Sequence, residues 1–153
     1  MREILFRGKD QYNDWIYGYL CQYRGDSIAD NGGDLLDDSD YYIRDWTEKI
    51  DTGFYGCNYK VRPSTVSQYT GLTDKDGRKI FEGDIIKIVP YSDYSDDYSI
   101  SKVYSYNGIF CVDYRGDDFD STALGFLEDY LPDGDFEVIG NIHDNPELLE
   151  AYK

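Results

Sequence analysis

Apolar residues alternate with polar ones along much of this chain, and continuous apolar runs are short. Alternation with a period of two marks half-buried strands, because successive side chains point to opposite faces of a sheet. Arg2–Gly8 alternates through Ile4 and Phe6 and predicts a first strand. Trp15–Gln22, WIYGYLCQ, is rich in aromatic and β-branched residues and predicts a second. The turn KDQYND joins the two into an N-terminal hairpin. Gly18 inside the second strand predicts a bulge or a close backbone approach. Thr65–Tyr69 alternates again. Asp84–Val89, DIIKIV, is almost continuously apolar, which predicts a strand buried on both faces. VYSY and IFCVDY flank Asn107-Gly108, the strongest short hairpin signal, and predict a hairpin over Val103–Tyr114. Phe136–Ile142 predicts the last strand.

The intervening segments carry turn chemistry. DKDG at Asp74–Gly77 and EGD at Glu82–Asp84 predict two tight turns. Gly77 and Gly83 are expected at positive φ, and Asp74 and Asp84 are expected to bond local N–H groups. Thr122–Leu131 fits a short helix or an irregular apolar corner. A final helix is expected in DNPELLEAY, with Asn145 as cap, Pro146 at the first helical position and Glu147 near the positive end. Asp26–Asp51 carries nine acids and two bases and reads as an acidic, loop-rich insertion. Pro90–Ser101, built from Tyr, Ser and Asp, reads as an exposed loop. The sum is seven or eight short strands with two small helices. The organisation expected is an N-terminal β-rich region over 1–64, bearing the insertion at 26–51, and a small barrel with a C-terminal helix over 65–153. One integrated domain is the alternative. Thr65–Ile142 offers about five strands, which favours a small barrel over a sandwich.

Composition changes this picture in one respect. The chain has 31 acidic and 15 basic residues, for a net charge of −16. Twenty-four of the acids are Asp, which suits turns, and only seven are Glu, which suits helix interiors. Seventeen tyrosines mark a folded protein rather than a disordered one. Direct nucleic-acid binding is not expected, because it needs Lys and Arg to neutralise phosphates. A solvated acidic surface is expected, or a basic partner. Cys21, Cys57 and Cys111 stand apart, without a C-x-x-C, as in a reducing cytosol. No apolar run follows Met1, and none approaches the ~18 residues of a membrane span, so a cytoplasmic protein is expected.

Candidate chemistry adds little. Counting an EF-hand from Asp74 puts Arg78 and Lys79 at positions five and six and Ile85 at twelve, where ligands and the turn glycine belong. The segment is a turn. One His and three scattered Cys do not make a zinc site. His143, in GNIHDNP, reads as a residue of a strand-to-helix junction. No phosphate loop, dinucleotide fingerprint or nucleophile elbow is present. No catalytic, metal or cofactor residue is therefore expected. Among the aromatics, Trp15 and Tyr17 are expected in the core, while Trp46, Tyr91, Tyr94 and Tyr98 are candidate partner contacts. Carboxylates at Asp26–Asp51, Asp93–Asp97 and Asp113–Asp135 would mimic DNA if they lined one face.

Three segments, in order, carry a family likeness: MREILFRGKD…WIYGYL, VSQYTGLTDKDGRKIFEGDIIKI and FEVIGNIHDNPELL. They resemble the YopX family of small phage and prophage proteins. The resemblance implies a mainly β fold, with a C-terminal SH3-like β-barrel, an N-terminal β-hairpin region packed on it and a short C-terminal helix. It implies no activity and transfers no functional residue, and SH3-like barrels host many functions. The expectation is a non-enzymatic accessory protein that binds a host or phage protein, basic or DNA-binding partners included. Homo-oligomers and cofactor-free function are compatible with it. The alternative is an acidic DNA mimic; an enzyme is the least supported reading.

Overall fold

The computed structural model describes residues 3–22, 40–44, 58–89, 98–113, 122–123 and 136–150. They form antiparallel β-structure with one short helix. The chain divides into two units, Met1–Gln68 and Tyr69–Lys153.

In the N-terminal unit, β1 (Phe6–Lys9), β2 (Trp15–Gln22), β3 (Tyr41–Arg44) and β4 (Asn58–Val61) pair in chain order, each antiparallel to the last. On its other side β1 meets the start of β5 (Ser67–Thr73), through Phe6↔Gln68 and Arg7↔Ser67. Ile43 and Val61 fill one face of this sheet. The strands curl strongly. Beyond β4, the Arg62 N–H donates to the Lys9 carbonyl at 2.8 Å, and the Lys9 N–H donates to Thr65 Oγ1 at 2.8 Å. Gly18 makes the curl possible: a Cβ there would lie 2.1 Å from the Arg44 carbonyl oxygen. The close approach expected at Gly18 is thus present, with β3 as the neighbour.

In the C-terminal unit, β5 continues into pairing with β6 (Lys79–Phe81). The tilted rings of Tyr69 and Phe81 lie 5.5 Å apart on these strands. Next comes β7 (Asp84–Ile88), the middle strand of a three-stranded sheet between β8 (Ser99–Lys102) and the strand Phe136–Asn141. A second sheet joins β9 (Tyr104–Tyr106), β10 (Ile109–Val112) and β11 (Thr122–Ala123). Phe136–Asn141 is β12, and Glu147–Glu150 is the helix α1. Ile85, Ile86 and Ile88 of β7 are fully buried, so the strand is covered on both faces as its apolar run predicts. Ile80, Ile86, Ile88, Val103, Val112 and Phe136 form one core cluster. Burial of each such side chain contributes about 2 kcal/mol.

The turns behave as their sequence predicts. Gly77 has φ 78° and Gly83 φ 80°. Asp74, 5% exposed, accepts from the N–H groups of Asp76 (2.9 Å) and Arg78 (2.8 Å) through Oδ1. Its Oδ2 accepts from the Val138 N–H at 3.2 Å, tying the DKDG turn to β12. Asp84, 1% exposed, accepts from the Phe81 N–H at 2.7 Å. Both carboxylates are committed to backbone donors rather than offered to a ligand. Lys75 Nζ donates to Glu137 Oε2 at 2.9 Å. That hydrogen bond holds the Lys75 ammonium above its ordinary pKa and the Glu137 carboxyl below it.

Several expectations need correction. The first strand starts at Phe6 rather than Arg2, and a 3₁₀ turn at Pro63–Thr65 delays β5 to Ser67. Ser99–Ser101, expected as the end of a loop, belong to β8 (Ser99–Lys102), because the alternation lets Ser101 face inward while the strand hydrogen-bonds along β7. Thr122–Ala123 is a strand paired with β10 rather than a helix; residues 124–131 lie outside the described residues, as do 26–39, 45–51 and 90–97. The Asn107-Gly108 hairpin forms, with both residues at positive φ. At the C-terminal junction Asn141 organises the turn: its Oδ1 accepts from the N–H groups of His143 and Asp144, 3.0 Å each. The described strands are mainly β and antiparallel, and no closed barrel is found among them.

Candidate binding face and cleft

Of the aromatics named from sequence as partner contacts, Trp46, Tyr91 and Tyr94 lie outside the described residues. Tyr98 stands just before β8, 41% exposed, with Lys87 Nζ 4.4 Å from its ring centroid. The N-terminal sheet holds aromatics that the sequence reading misplaced. Tyr17 is 46% exposed, against the expectation of a core residue. The reason is its register. Tyr17 sits opposite Arg7, on the sheet face turned away from Ile43 and Val61.

The strand pairing gathers that face from four segments. Arg7 and Lys9 of β1 lie opposite Tyr17 and Trp15 of β2. Tyr19 lies opposite Arg44, and Cys21 opposite Tyr42, both on β3. Arg44 and Tyr42 in turn face Asn58 and Lys60 on β4. Arg7 and Lys9 are nearly buried, and both cations rest on Trp15: the guanidinium carbon lies 4.6 Å and the Lys9 ammonium 5.1 Å from a ring centroid. A cation over an indole face is attracted by the ring quadrupole, which lets these charges lie under an aromatic cover. Arg44 Nε donates to Asn58 Oδ1 at 2.9 Å. Tyr17 and Tyr19 project from the same face.

Beside this face runs a cleft of about 880 Å³. Its walls are the β1–β2 turn (Asp10 to Tyr12), the entry to β3 (Asp40, Tyr42) and β4 with its continuation to Arg62. The turn is built by Asp10, whose Oδ1 accepts from the N–H groups of Tyr12 and Asp14, 2.9 Å each. Asn13 takes a left-handed conformation, φ 76°, and Arg62 Nη2 donates to its side-chain oxygen. Lys60 pairs with Asp40 at the rim. The cleft therefore combines fixed cations, carboxylates and tyrosines, a lining suited to polar recognition.

The remaining candidate chemistry does not assemble there. His143 lies half-buried in the turn between β12 and α1. Cys21 and Cys111 are free thiols that hydrogen-bond backbone carbonyls within their own strands, at 3.6 and 3.7 Å. Among the described residues no three His, Cys, Asp or Glu side chains are grouped to hold a metal ion. No described helix is long and apolar enough to cross a membrane. One signal could have found the face: Arg7 and Lys9 share a period of two, as do Trp15, Tyr17 and Tyr19, and hairpin pairing brings the two sets together.

Fold and site define an antiparallel β protein whose most distinctive described surface is a cation–tyrosine sheet face. Comparison with known proteins places it more closely. The YopX protein family model matches residues 5–150, and the chain belongs to that family. The SPbeta prophage-derived uncharacterized protein YopX of Bacillus subtilis (strain 168) is 38% identical over 79 residues, covering 50% of this chain and 54% of that protein. The match thus spans about half the length of that relative. The crystal structure of B. subtilis yopX resembles the chain with a TM-score of 0.53 at 23% identity, covering 97% of this chain and 98% of that one. Protein EF1440 from Enterococcus faecalis is similar with the same TM-score and identity, covering 97% and 99%. The structural likeness bears on the fold.

Proposed function

We propose that this phage or prophage YopX-family protein is a non-enzymatic protein-binding module, and that the cation–tyrosine face of its N-terminal sheet is the contact surface. The observation that carries this reading is the exposure of Tyr17 and Tyr19, at alternate positions of one strand and beside a polar cleft. Tyr offers large, rigid area with a polar tip at low entropic cost, and is enriched at interfaces for that reason. The setting that fits is the cytoplasm of a bacterial host, with a host or phage protein as partner. Tyr98, on the C-terminal unit, remains a contact candidate of its own. The same reading keeps the SH3-like barrel for 65–153 as its proposed architecture, with which a central β7 between β8 and β12 is compatible. DNA mimicry is the second reading; apart from Asp40 and Asp113, the acids of the Asp26–Asp51, Asp93–Asp97 and Asp113–Asp135 clusters that would carry it lie outside the described residues.

The test is quantitative capture from a phage-carrying host, using the wild-type chain and a Tyr17→Ala/Tyr19→Ala variant of equal melting temperature. A partner retained by the wild type should drop at least tenfold on the variant, about 1.4 kcal/mol. Equal capture by both would overturn the assignment of the face.

A further inference from the structure

The cleft beside the N-terminal sheet has a shape that limits what it can hold. One wall is six consecutive residues, Asn58 to Pro63, the whole of β4 and its run into the 3₁₀ turn. An extended run of that length spans ~20 Å. Another wall is the β1–β2 turn, where Gln11 is exposed and Tyr12 is 76% exposed. Lys60, Arg62 and Pro63 are exposed as well, so the cleft is open along its length. Its rings are those of Tyr12, half-buried Tyr59, Pro63 and buried Tyr42. The charges of the lining balance, Asp10 and Asp40 against Lys60 and Arg62. Lys60 pairs with Asp40, and Arg62 is anchored on the Asn13 side chain. The cleft therefore offers an occupant no net charge of either sign.

From these features we infer that the cleft receives an uncharged, proline-rich segment of a partner protein in the polyproline II conformation. The inference rests on the protein-binding reading above and adds to the tyrosine face a second contact with its own chemistry. The long wall calls for an extended ligand, the balanced charge for an uncharged one, and the tyrosine rim for proline. Polyproline II is stiff and ordered before it binds, so docking costs little entropy, and its rings pack against aromatic walls. About six residues of it, at ~3.1 Å each, match the β4 wall. Its backbone carbonyls have no internal partners, so they accept from hydroxyl and amide donors. The Tyr12 hydroxyl and the Gln11 amide supply such donors at the rim.

An added β-strand fits less well. Strand addition needs a row of backbone N–H and C=O groups along the receiving edge. The Arg62 N–H already donates to the Lys9 carbonyl, and Pro63 has no N–H, so a ladder along this wall would stop at Val61. A phosphate chain would meet Asp10 and Asp40 with no excess of cations to offset them. A small compact ligand would cover only part of so long a wall.

The experiment is selection of a random displayed peptide library on the full wild-type chain, with counter-selection on a Tyr12→Ala variant. Tyr12 is exposed and its bond to Asp10 comes from the backbone N–H, so the variant keeps the turn, which an equal melting temperature verifies. Recovered peptides should be enriched in proline at three-residue spacing, the repeat of polyproline II, without an excess of charged residues. A synthetic peptide of the leading sequence should bind about tenfold more weakly to Tyr12→Ala. It should lose binding when its prolines are replaced by alanine, and its affinity should change less than about twofold between low and moderate salt. Enrichment of alternating β-branched residues or of charged residues, absence of any enrichment, or equal binding to Tyr12→Ala would overturn the inference. The Tyr17→Ala/Tyr19→Ala variant should bind the peptide as the wild type does; weaker binding there would move the peptide from the cleft to the sheet face and overturn the inference as well. Failure is separable from failure of the binding reading. If that tyrosine variant loses its captured partner while no proline-rich peptide is selected, the face stands and only the occupant of the cleft is wrong.

Discussion

The two units bury charge in opposite ways. The N-terminal unit buries cations, Arg7 and Lys9, against the ring of Trp15. The C-terminal unit buries carboxylates, Asp74 and Asp84, against backbone N–H groups. Side-chain reach explains the difference. Lys and Arg have long apolar stems that let the charge travel to an aromatic face while the stem covers apolar surface. Asp has a single methylene, so its carboxylate stays near its own turn, where unpaired N–H groups are the available donors. The consequence is functional as well as structural. The buried carboxylates are spent on turns and the buried cations on Trp15, so what the N-terminal sheet face presents outward is Tyr17 and Tyr19.

The largest effect expected from perturbing this contrast is on the carboxylate side. Asp74→Ala removes three hydrogen bonds to backbone donors, two on the exposed turn residues Asp76 and Arg78 and one on half-buried Val138. A loss of about 4 kcal/mol in stability is expected, since each bond to a charged acceptor contributes about 1.5–3 kcal/mol and the three are not additive. Urea denaturation measures it, and a loss below about 1 kcal/mol would remove Asp74 as the clasp of the unit. On the cation side, Gly18→Ala should cost about 3 kcal/mol, because the added methyl meets the Arg44 carbonyl oxygen and backbone must move. Retained stability there would show that β2 and β3 can separate without loss.

Smaller effects sharpen the comparison. A double-mutant cycle on Arg7→Met and Trp15→Leu should give a coupling of about 1 kcal/mol, the scale of a partly desolvated cation–π contact. Additive losses would mean that the two side chains only fill space. The smallest effect concerns Lys75 and Glu137, both solvent-accessible. The folded pKa of Glu137 is depressed by the Lys75 hydrogen bond. Its stabilisation is present above the unfolded carboxyl value and is lost as pH falls through the folded one. Glu137→Gln should flatten only that acidic limb of the melting temperature against pH. An unchanged limb would place the acid sensitivity elsewhere.

Much of the fold was legible. The isoleucine run of β7, the Asn107-Gly108 hairpin and the DKDG and EGD turns follow from local rules, because each depends on residues within a few positions. β8 was not legible, because Ser99–Lys102 sits in a Tyr–Ser–Asp stretch whose local composition reads as loop. Its strand character comes from hydrogen bonds along β7. Tyr17 was misplaced for a related reason. Alternation says that two faces differ but not which one is covered.

The sequence by itself determined the class: an antiparallel β protein of the YopX family, with its turns placed by Gly, Asn and Asp. Those choices are set by backbone sterics and short-range hydrogen bonds. Only the tertiary structure decided which face of the N-terminal sheet is filled and which presents its tyrosines. Cations at positions 7, 9, 44 and 60 share a face because strand register joins segments up to 53 positions apart. Pairing across that distance is settled by the competition of whole sheets for a core, which no local pattern records.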